Sequence, residues 1–496
     1  MEQDEFQALI TPQAMADIDR EAAETGLDSF SLMLRAGRAV AAAVLRHYPQ
    51  LLRAVVLCGP GNNGGDGYIA AEALRLSGVP VAVFCHGDPD RLKGDAARAK
   101  AACSSQVAPL AEFVARAGDV VIDALFGAGL ARDLSPEICA AIERVKDAGL
   151  PVVAVDLPSG IDGLTGQPRP VALEAAQTVT FMALKPGHVL LPGRVHCGAI
   201  EVFDIGIPRR IMDRHRGSIA RNHPLLWQAS LPCLQAQGHK FSRGHLTVFS
   251  GPISATGAAR LSAMAGLRAG AGLVTLASSA SALMVNASQT TAVMVKKIED
   301  EMALDAYLAD QRLSAFVLGP GFGVGEKARG FISRLCGRKL VLDADGISSF
   351  KDDPAALFSL FAEGETRLVM TPHAGEFARL FPDLAAETRI GKVEQTVRAA
   401  QRSHAVLVHK GADTVIASPD GRALINDNAP AWLATAGSGD VLAGVIGGLL
   451  AQGVPAFEAA AAGVYLHGEA GQRAGDGMTA EDLVKAVRPF QAATAC

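Results

Sequence analysis

No run of lysine and arginine interrupts this 496-residue chain, whose net charge is −5, so neither nucleic acid nor an anionic membrane is an expected partner. The opening MEQDEF is acidic and lacks the basic and apolar regions of a secretory signal, so a cytoplasmic location is expected. Leu273 to Val295 carries no charge, but Ser, Thr, Asn and Gln interrupt it throughout, which excludes a membrane span and suggests a buried strand and a loop. The 8 cysteines form no CxxC pair and none stands with histidine at zinc spacing, so reduced thiols are expected. What remains is 49% hydrophobic and 20% charged, enough for sizeable cores and no basis for disorder. The length calls for two large domains or three smaller ones.

Both halves alternate short β-branched runs with Ala-rich helical segments. AVVLCGP, VPVAVFC, DVVIDALFG, LPVVAVDLPSG and QTVTFMA are the strands expected first, with YIAAEALRLSG and SPEICAAIERVKDAG as helices between them. In the second helix Ser135-Pro136 opens the first turn and Gly149 stops the last. HLTVFSG, LVTLAS, AFVLGPG, KLVLDAD, RLVMTPH and AVLVHKG repeat the pattern, and TVIASPDGRALIN predicts a hairpin turning on Pro419-Asp420-Gly421. This order implies an α/β fold with parallel sheets covered by helices on both faces. Between the halves periodicity is lost, giving domains at 1–217 and 236–496 with a linker at 218–235.

Ligands of such sheets sit beyond the carboxyl ends of the strands. Nearly every such end here carries glycine, aspartate or both. GPGNNGGDG lacks the lysine of a Walker loop, and VAVFCHGD brings its aspartate, Asp88, too late for a dehydrogenase ribose contact. Asn62, Asn63 and Asp66 instead place amide and carboxylate oxygens beside free backbone N–H groups, a combination suited to a phosphate with a hard cation. Asp123 in VIDALFGAG and Asp156 with Ser159 in VAVDLPSG end neighbouring strands, where all three loops can converge.

NNGGDG, DALFGAG and AVDLPSGID, preceded by LITPQAMADIDREAAETG, resemble the epimerase domain of NAD(P)H-hydrate repair enzymes over about residues 8–205. The resemblance implies a Rossmann-like domain that interconverts R and S hydrates. It implies that Asn62, Asn63, Gly64, Gly65 and Asp66 hold the hydrate together with Gly127, Ala128, Gly129, Leu130, Ala131, Arg132 and Asp133. Asp156 would contact the ring as the acid/base, and Asn63, Asp123 and Ser159 would bind potassium.

Downstream, TAGSGDVLAGVIGGLLAQG places Gly437, Ser438 and Gly439 at the start of a helix expected from Val441, where amides and the helix dipole favour an anion. Asp440 stands at that entrance as a base or as a simple cap. GSGD, LGPGFG, VLDADG, TPHAGEFARL and HKGADT together resemble the ribokinase-like fold, and within it the ADP/ATP-dependent NAD(P)H-hydrate dehydratases, over about residues 238–490. The resemblance implies phosphorylation of the ring hydroxyl of the S hydrate and loss of phosphate, with magnesium. Asp440 would activate the hydroxyl. Lys410, Gly411, Ala412, Asp413, Thr414 and Gly439 would hold the nucleotide, and Ala258, Gly323, His373 and Asp440 the hydrate. His373 equally suits an ordinary loop histidine.

The chain departs from the family at Ser254-Ala255, where an aromatic is usual, and at Gly346-Ile347-Ser348, where Leu-Asn often follows DAD. The partners expected are small molecules and a second copy of the chain. The rival readings are a vitamin or sugar kinase with a non-catalytic N-terminal binding domain, and an oxidoreductase.

Overall fold

A computed structural model describes residues 7–130, 132–233 and 239–490, in two compact units, 1–219 and 220–496. The first is built on seven strands: β1 (Arg53–Cys58), β2 (Val81–Cys85), β3 (Val107–Pro109), β4 (Asp119–Ala124), β5 (Val152–Val155), β6 (Gln177–Phe181) and β7 (Ala199–Phe203). They lie side by side in the order β3-β2-β1-β4-β5-β6-β7, every neighbouring pair parallel. β4, β5 and β6 are buried along their whole length, as strands covered on both faces must be. Chain reversal at β1 makes the switch point, and the loops after β1, β4 and β5 meet there.

Helix Asn62–Leu76 follows β1 directly. It begins inside the NNGGDG motif, six residues before the expected start at Tyr68. The glycines are tolerated because the helix is pressed against its neighbours: a methyl on Gly64 would lie 2.0 Å from the Gly59 carbonyl oxygen. Helix Pro136–Asp147 runs as expected, with Ser135 before its first-turn proline and Gly149 (φ +58°) after it.

The second unit holds a ten-stranded sheet. Its strands are β8 (Ile219–Arg221), β9 (His245–Phe249), β10 (Leu273–Ser278), β11 (Met294–Lys297), β12 (Ala315–Leu318), β13 (Lys339–Leu342), β14 (Leu368–Met370), β15 (Val406–His409), β16 (Thr414–Ala417) and β17 (Ala423–Asn426). The order is β11-β10-β9-β12-β13-β14-β15-β16-β17-β8, parallel from β11 to β15; β16 and β17 form the expected hairpin, and β15 pairs antiparallel with β16. Leu246, Val248, Val317, Val341, Val369 and Val406 face Val441, Ile446 and Leu450 of helix Ser438–Ala451 in one buried core. Full burial of each such side chain contributes roughly 1.5–3 kcal/mol.

Three expectations change. The stretch 273–295 contains the helix Leu283–Gln289 as well as strand and loop, since Asn286 turns its amide inward to Ser250 and Ser278. The stretch expected as a linker, 218–235, is partly built into the second unit. β8 extends its sheet, Asn222 N donates to Ile425 O, and Trp227 is 1% exposed, its indole N–H donated to Asn222 Oδ1. Trp227 packs edge-on against Phe490 and at a tilt against Tyr465, an aromatic anchor concealed in a stretch without strand or helix periodicity. Among the described residues six cysteines are free thiols, but Cys233 is disulfide-bonded. No helix among the described residues is long and apolar enough to cross a membrane.

Candidate active sites

At the carboxyl ends of β1, β4 and β5 a cavity of about 520 Å³ opens, lined by Asn62, Asn63 and Asp66, by Gly127 to Leu130, and by Asp156. Asp19 and Met33 of the N-terminal helices and Lys185, beyond β6, complete its wall. The cavity brings together most of the hydrate-binding residues expected from the sequence. Gly64 and Gly65 face inward to Gly59 and Met33 and serve close packing. Arg132 and Asp133 are exposed, and Asp133 pairs with Arg169 at 3.7 Å. Ala131 lies outside the described residues.

Asp156 adopts φ +66°, a region that residues with a β-carbon seldom occupy. Such an outlier at a cavity wall is a functional signal. Its Oδ2 accepts the Ala128 N–H at 2.8 Å, and its Oδ1 accepts Lys185 Nζ at 2.7 Å and Thr180 Oγ1 at 2.9 Å. Lys185 is 3% exposed and also donates to Thr180 Oγ1 and Phe181 O, so all three of its donors are used. Behind it, His188 Nε2 donates to the Asp156 carbonyl and its Nδ1 accepts the Lys185 N–H. Those partners fix the neutral tautomer, and burial pushes the imidazole down to about 4.

Burial alone would raise the Asp156 pKa, but the Lys185 ammonium and the Ala128 N–H hold it well below the usual carboxylate range. Asp66 has no such cation. Burial, then the Asp156 charge, push it well above that range. Two carboxyl groups on one cavity are thus pushed in opposite directions.

Beneath the wall, Asp123 is fully buried. It accepts Ser159 N at 2.7 Å, Ser159 Oγ at 2.6 Å and Leu125 N at 3.3 Å. No cationic side chain is among these partners, and burial pushes Asp123 up to about 6. Asn63 stands at the cavity wall with its Nδ2 buried and unpartnered.

In the second unit the ends of β9, β12, β13, β14 and β15 stand along one sheet edge. Helix Ser438–Ala451 starts there, three residues before the expected position, from Gly437 at φ +86°. Asp440 lies in its first turn. Burial and the neighbouring Asp343 push its pKa up to about 6, against the pull of Lys410. Lys410 Nζ reaches Asp343 Oδ1 at 2.8 Å, and a methyl on Gly439 would lie 3.4 Å from that ammonium. Thr414 Oγ1 donates to Gly411 O and closes the KGADT turn, while Asp413 is gripped by Lys392 at 2.7 Å. Gly323 (φ +104°) gives its N–H to Asp345 Oδ2, and Ala258 packs near the neighbouring Gly321.

His373 caps helix Ala374–Leu380. Its Nδ1 accepts Gly375 N at 3.0 Å while Glu376 returns a carboxylate to His373 N at 2.9 Å. The structural role foreseen as an alternative is therefore filled, and Nε2 lies 3.5 Å from Glu376 Oε1.

A family model described as NAD(P)H-hydrate dehydratase matches residues 246–488, and one described as YjeF-related protein N-terminus matches 29–187. The bifunctional NAD(P)H-hydrate repair enzyme Nnr of Moorella thermoacetica is 35% identical, covering 96% of this chain and 95% of its own. The enzyme of that name from Thermofilum pendens is also 35% identical, covering 94% and 93%. This chain belongs to the bifunctional NAD(P)H-hydrate repair enzymes. A solved structure, the ADP/ATP-dependent NAD(P)H-hydrate dehydratase of Bacillus subtilis co-crystallised with ATP and Mg²⁺, is similar at a TM-score of 0.45 and 24% identity, over 54% of this chain and 95% of that one. Lys185 and His188 contact Asp156, Lys392 contacts Asp413, and Asp343 contacts Lys410, four neighbours of the expected residues to which the sequence alone assigned no role. LKPGH, directly after β6, was the available signal for the first two.

Proposed function

We propose that the first unit interconverts the R and S forms of hydrated NADH and NADPH, and that the second dehydrates the S form with ADP or ATP, releasing AMP or ADP and phosphate. The observation carrying this reading is the pair of strand-end centres, each with one aspartate held in a defined state. In the first, Asp66 gives a proton to the ring hydroxyl, which leaves as water, and Asp156, the fixed carboxylate, takes a proton from the water that adds back to the opposite face of the ring. The remaining wall, Asn62, Asn63 and Gly127 to Leu130, binds the dinucleotide.

Potassium fits the first unit. Asp123 is a buried carboxylate with no cationic partner, beside the Ser159 hydroxyl, with Asn63 as a further oxygen donor. When bound, it supplies positive charge beneath the NNGGDG loop. For magnesium the fit is different: no group of three His, Cys, Asp or Glu side chains converges among the described residues. Magnesium is therefore assigned to the nucleotide and no step depends on it here.

In the second unit Asp440 takes the proton from the substrate hydroxyl. Lys410 and the Gly437–Gly439 amides, at the positive end of their helix, balance the charge of the transferring phosphoryl group. Lys410 to Thr414 and Gly439 hold the nucleotide, and Ala258, Gly323, His373 and Asp440 hold the hydrate. We further propose a cytoplasmic homo-oligomer.

Recovery of NADH absorbance from mixed R and S hydrates, with magnesium, potassium and either ADP or ATP, tests the scheme. Nucleotide-dependent recovery that consumes both epimers faster than their spontaneous interconversion is expected. Recovery stopping at the S fraction would reduce the first unit to a binding module, and a stable phosphorylated product would identify a kinase.

A further inference from the structure

The DAD motif after β13 has no role in the scheme above, yet its backbone is unusual. Ala344, between the two aspartates, adopts φ +46°, a left-handed conformation that a β-carbon disfavours. The turn is held from behind: Asp343 N donates to Leu318 O, and the Asp343 carbonyl is packed so closely on Gly319 that a methyl there would lie 1.7 Å from it. Strain that the surroundings enforce in this way marks a turn whose two side chains must point in set directions.

Those directions differ. Asp343 is 2% exposed, and its Oδ1 receives Thr371 Oγ1 at 2.7 Å and Lys410 Nζ at 2.8 Å. It thus ties together the ends of β13, β14 and β15, and it fixes the ammonium beside Gly439. Asp345 Oδ2 receives the Gly323 N–H at 2.9 Å, from the loop after β12. A buried carboxylate bridging a lysine and a hydroxyl is rigid, because removing any one partner strands the others.

We propose that the Asp343–Ala344–Asp345 turn is a two-sided positioning element of the transfer centre, with Asp343 holding Lys410 on the nucleotide side and Asp345 holding the Gly323 loop on the hydrate side of Asp440. Neither aspartate reacts; each acts through the group it orients. The left-handed residue between them sends one side chain into the sheet and the other across to the neighbouring loop. The inference rests on the dehydratase reading of this unit.

Steady-state kinetics on the full chain, varying nucleotide and hydrate separately, tests it, with epimerisation by the same preparations as the control. Asp343→Asn keeps the shape of the side chain and removes its charge. It is expected to raise the nucleotide KM about tenfold and to lower kcat, the scale of one lost charge-assisted contact, with the hydrate KM unchanged. Asp345→Asn, on the more open side, is expected to raise the hydrate KM while leaving the nucleotide KM alone. Equal changes in both constants for either variant, or none in either, would overturn the proposal. Should Asp343→Asn fail to fold, the hydrate-selective effect of Asp345→Asn still decides the matter. A wild-type chain without nucleotide-dependent recovery would instead sink the dehydratase reading itself.

Discussion

Asp156 and Asp440 show how far one residue type can be pushed by its surroundings. Asp440 must be ionised to accept a proton, and its raised pKa of about 6 sets where that form disappears. Dehydration should therefore fall as pH drops through about 6, with Asp440→Asn losing roughly 10²–10⁴-fold in rate at neutral pH while R/S interconversion persists. Loss of both activities together would show that the two centres are not separate. Asp156 is the opposite case. Its folded pKa is depressed, so its stabilising contribution is complete above the ordinary carboxylate range and vanishes only in stronger acid. Lys185→Met removes the buried partner and should cost about 3–5 kcal/mol in urea unfolding of the first unit, with loss of epimerisation. A wild-type unfolding curve would mean the pair is dispensable. Both aspartates were legible in their motifs, Asp156 at a strand end in DLPSG and Asp440 at a helix start in GSGD. Lys185 was not, because its partnership with Asp156 spans 29 residues and shows only once β5 and β6 lie side by side.

Among the elements, strands were the easiest to read, since buried runs such as VVAV and AFVL have no polar face to disguise them. Helix starts were harder. NNGGDG has the composition of a turn, and the glycines cost helix propensity that only tertiary packing restores, here the contact of Gly64 on Gly59. The same masking occurs at GSGD, where the helix begins at Ser438 and not Val441. Gly437 is the pivot of that start. At φ +86° an alanine is strained by about 1–2 kcal/mol. Its methyl would also stand 2.8 Å from Ala480 Cβ. Gly437→Ala should lower the melting temperature of the second unit and raise the nucleotide KM; an unchanged KM would show that the amides of this turn do not meet the nucleotide.

On the scale of the whole molecule, the two units bury their apolar residues separately, the first around β1 to β7 and the second around β8 to β17. Composition and strand count made this division legible, but not where the second unit begins. The segment before residue 236 is irregular in sequence, without strand or helix periodicity, and its contributions, β8 and the Trp227 anchor, are made through partners some 200 residues away, where Asn222 meets Asn426. This has a practical side for anyone dividing the gene. A fragment started at 236 would leave the β17 margin with a row of unanswered amides and carbonyls, a template on which other molecules can stack. Such a fragment should precipitate or form large assemblies in size-exclusion chromatography, whereas one started at 218 should elute as a discrete species. Identical elution of the two would mean that the extra strand seals nothing.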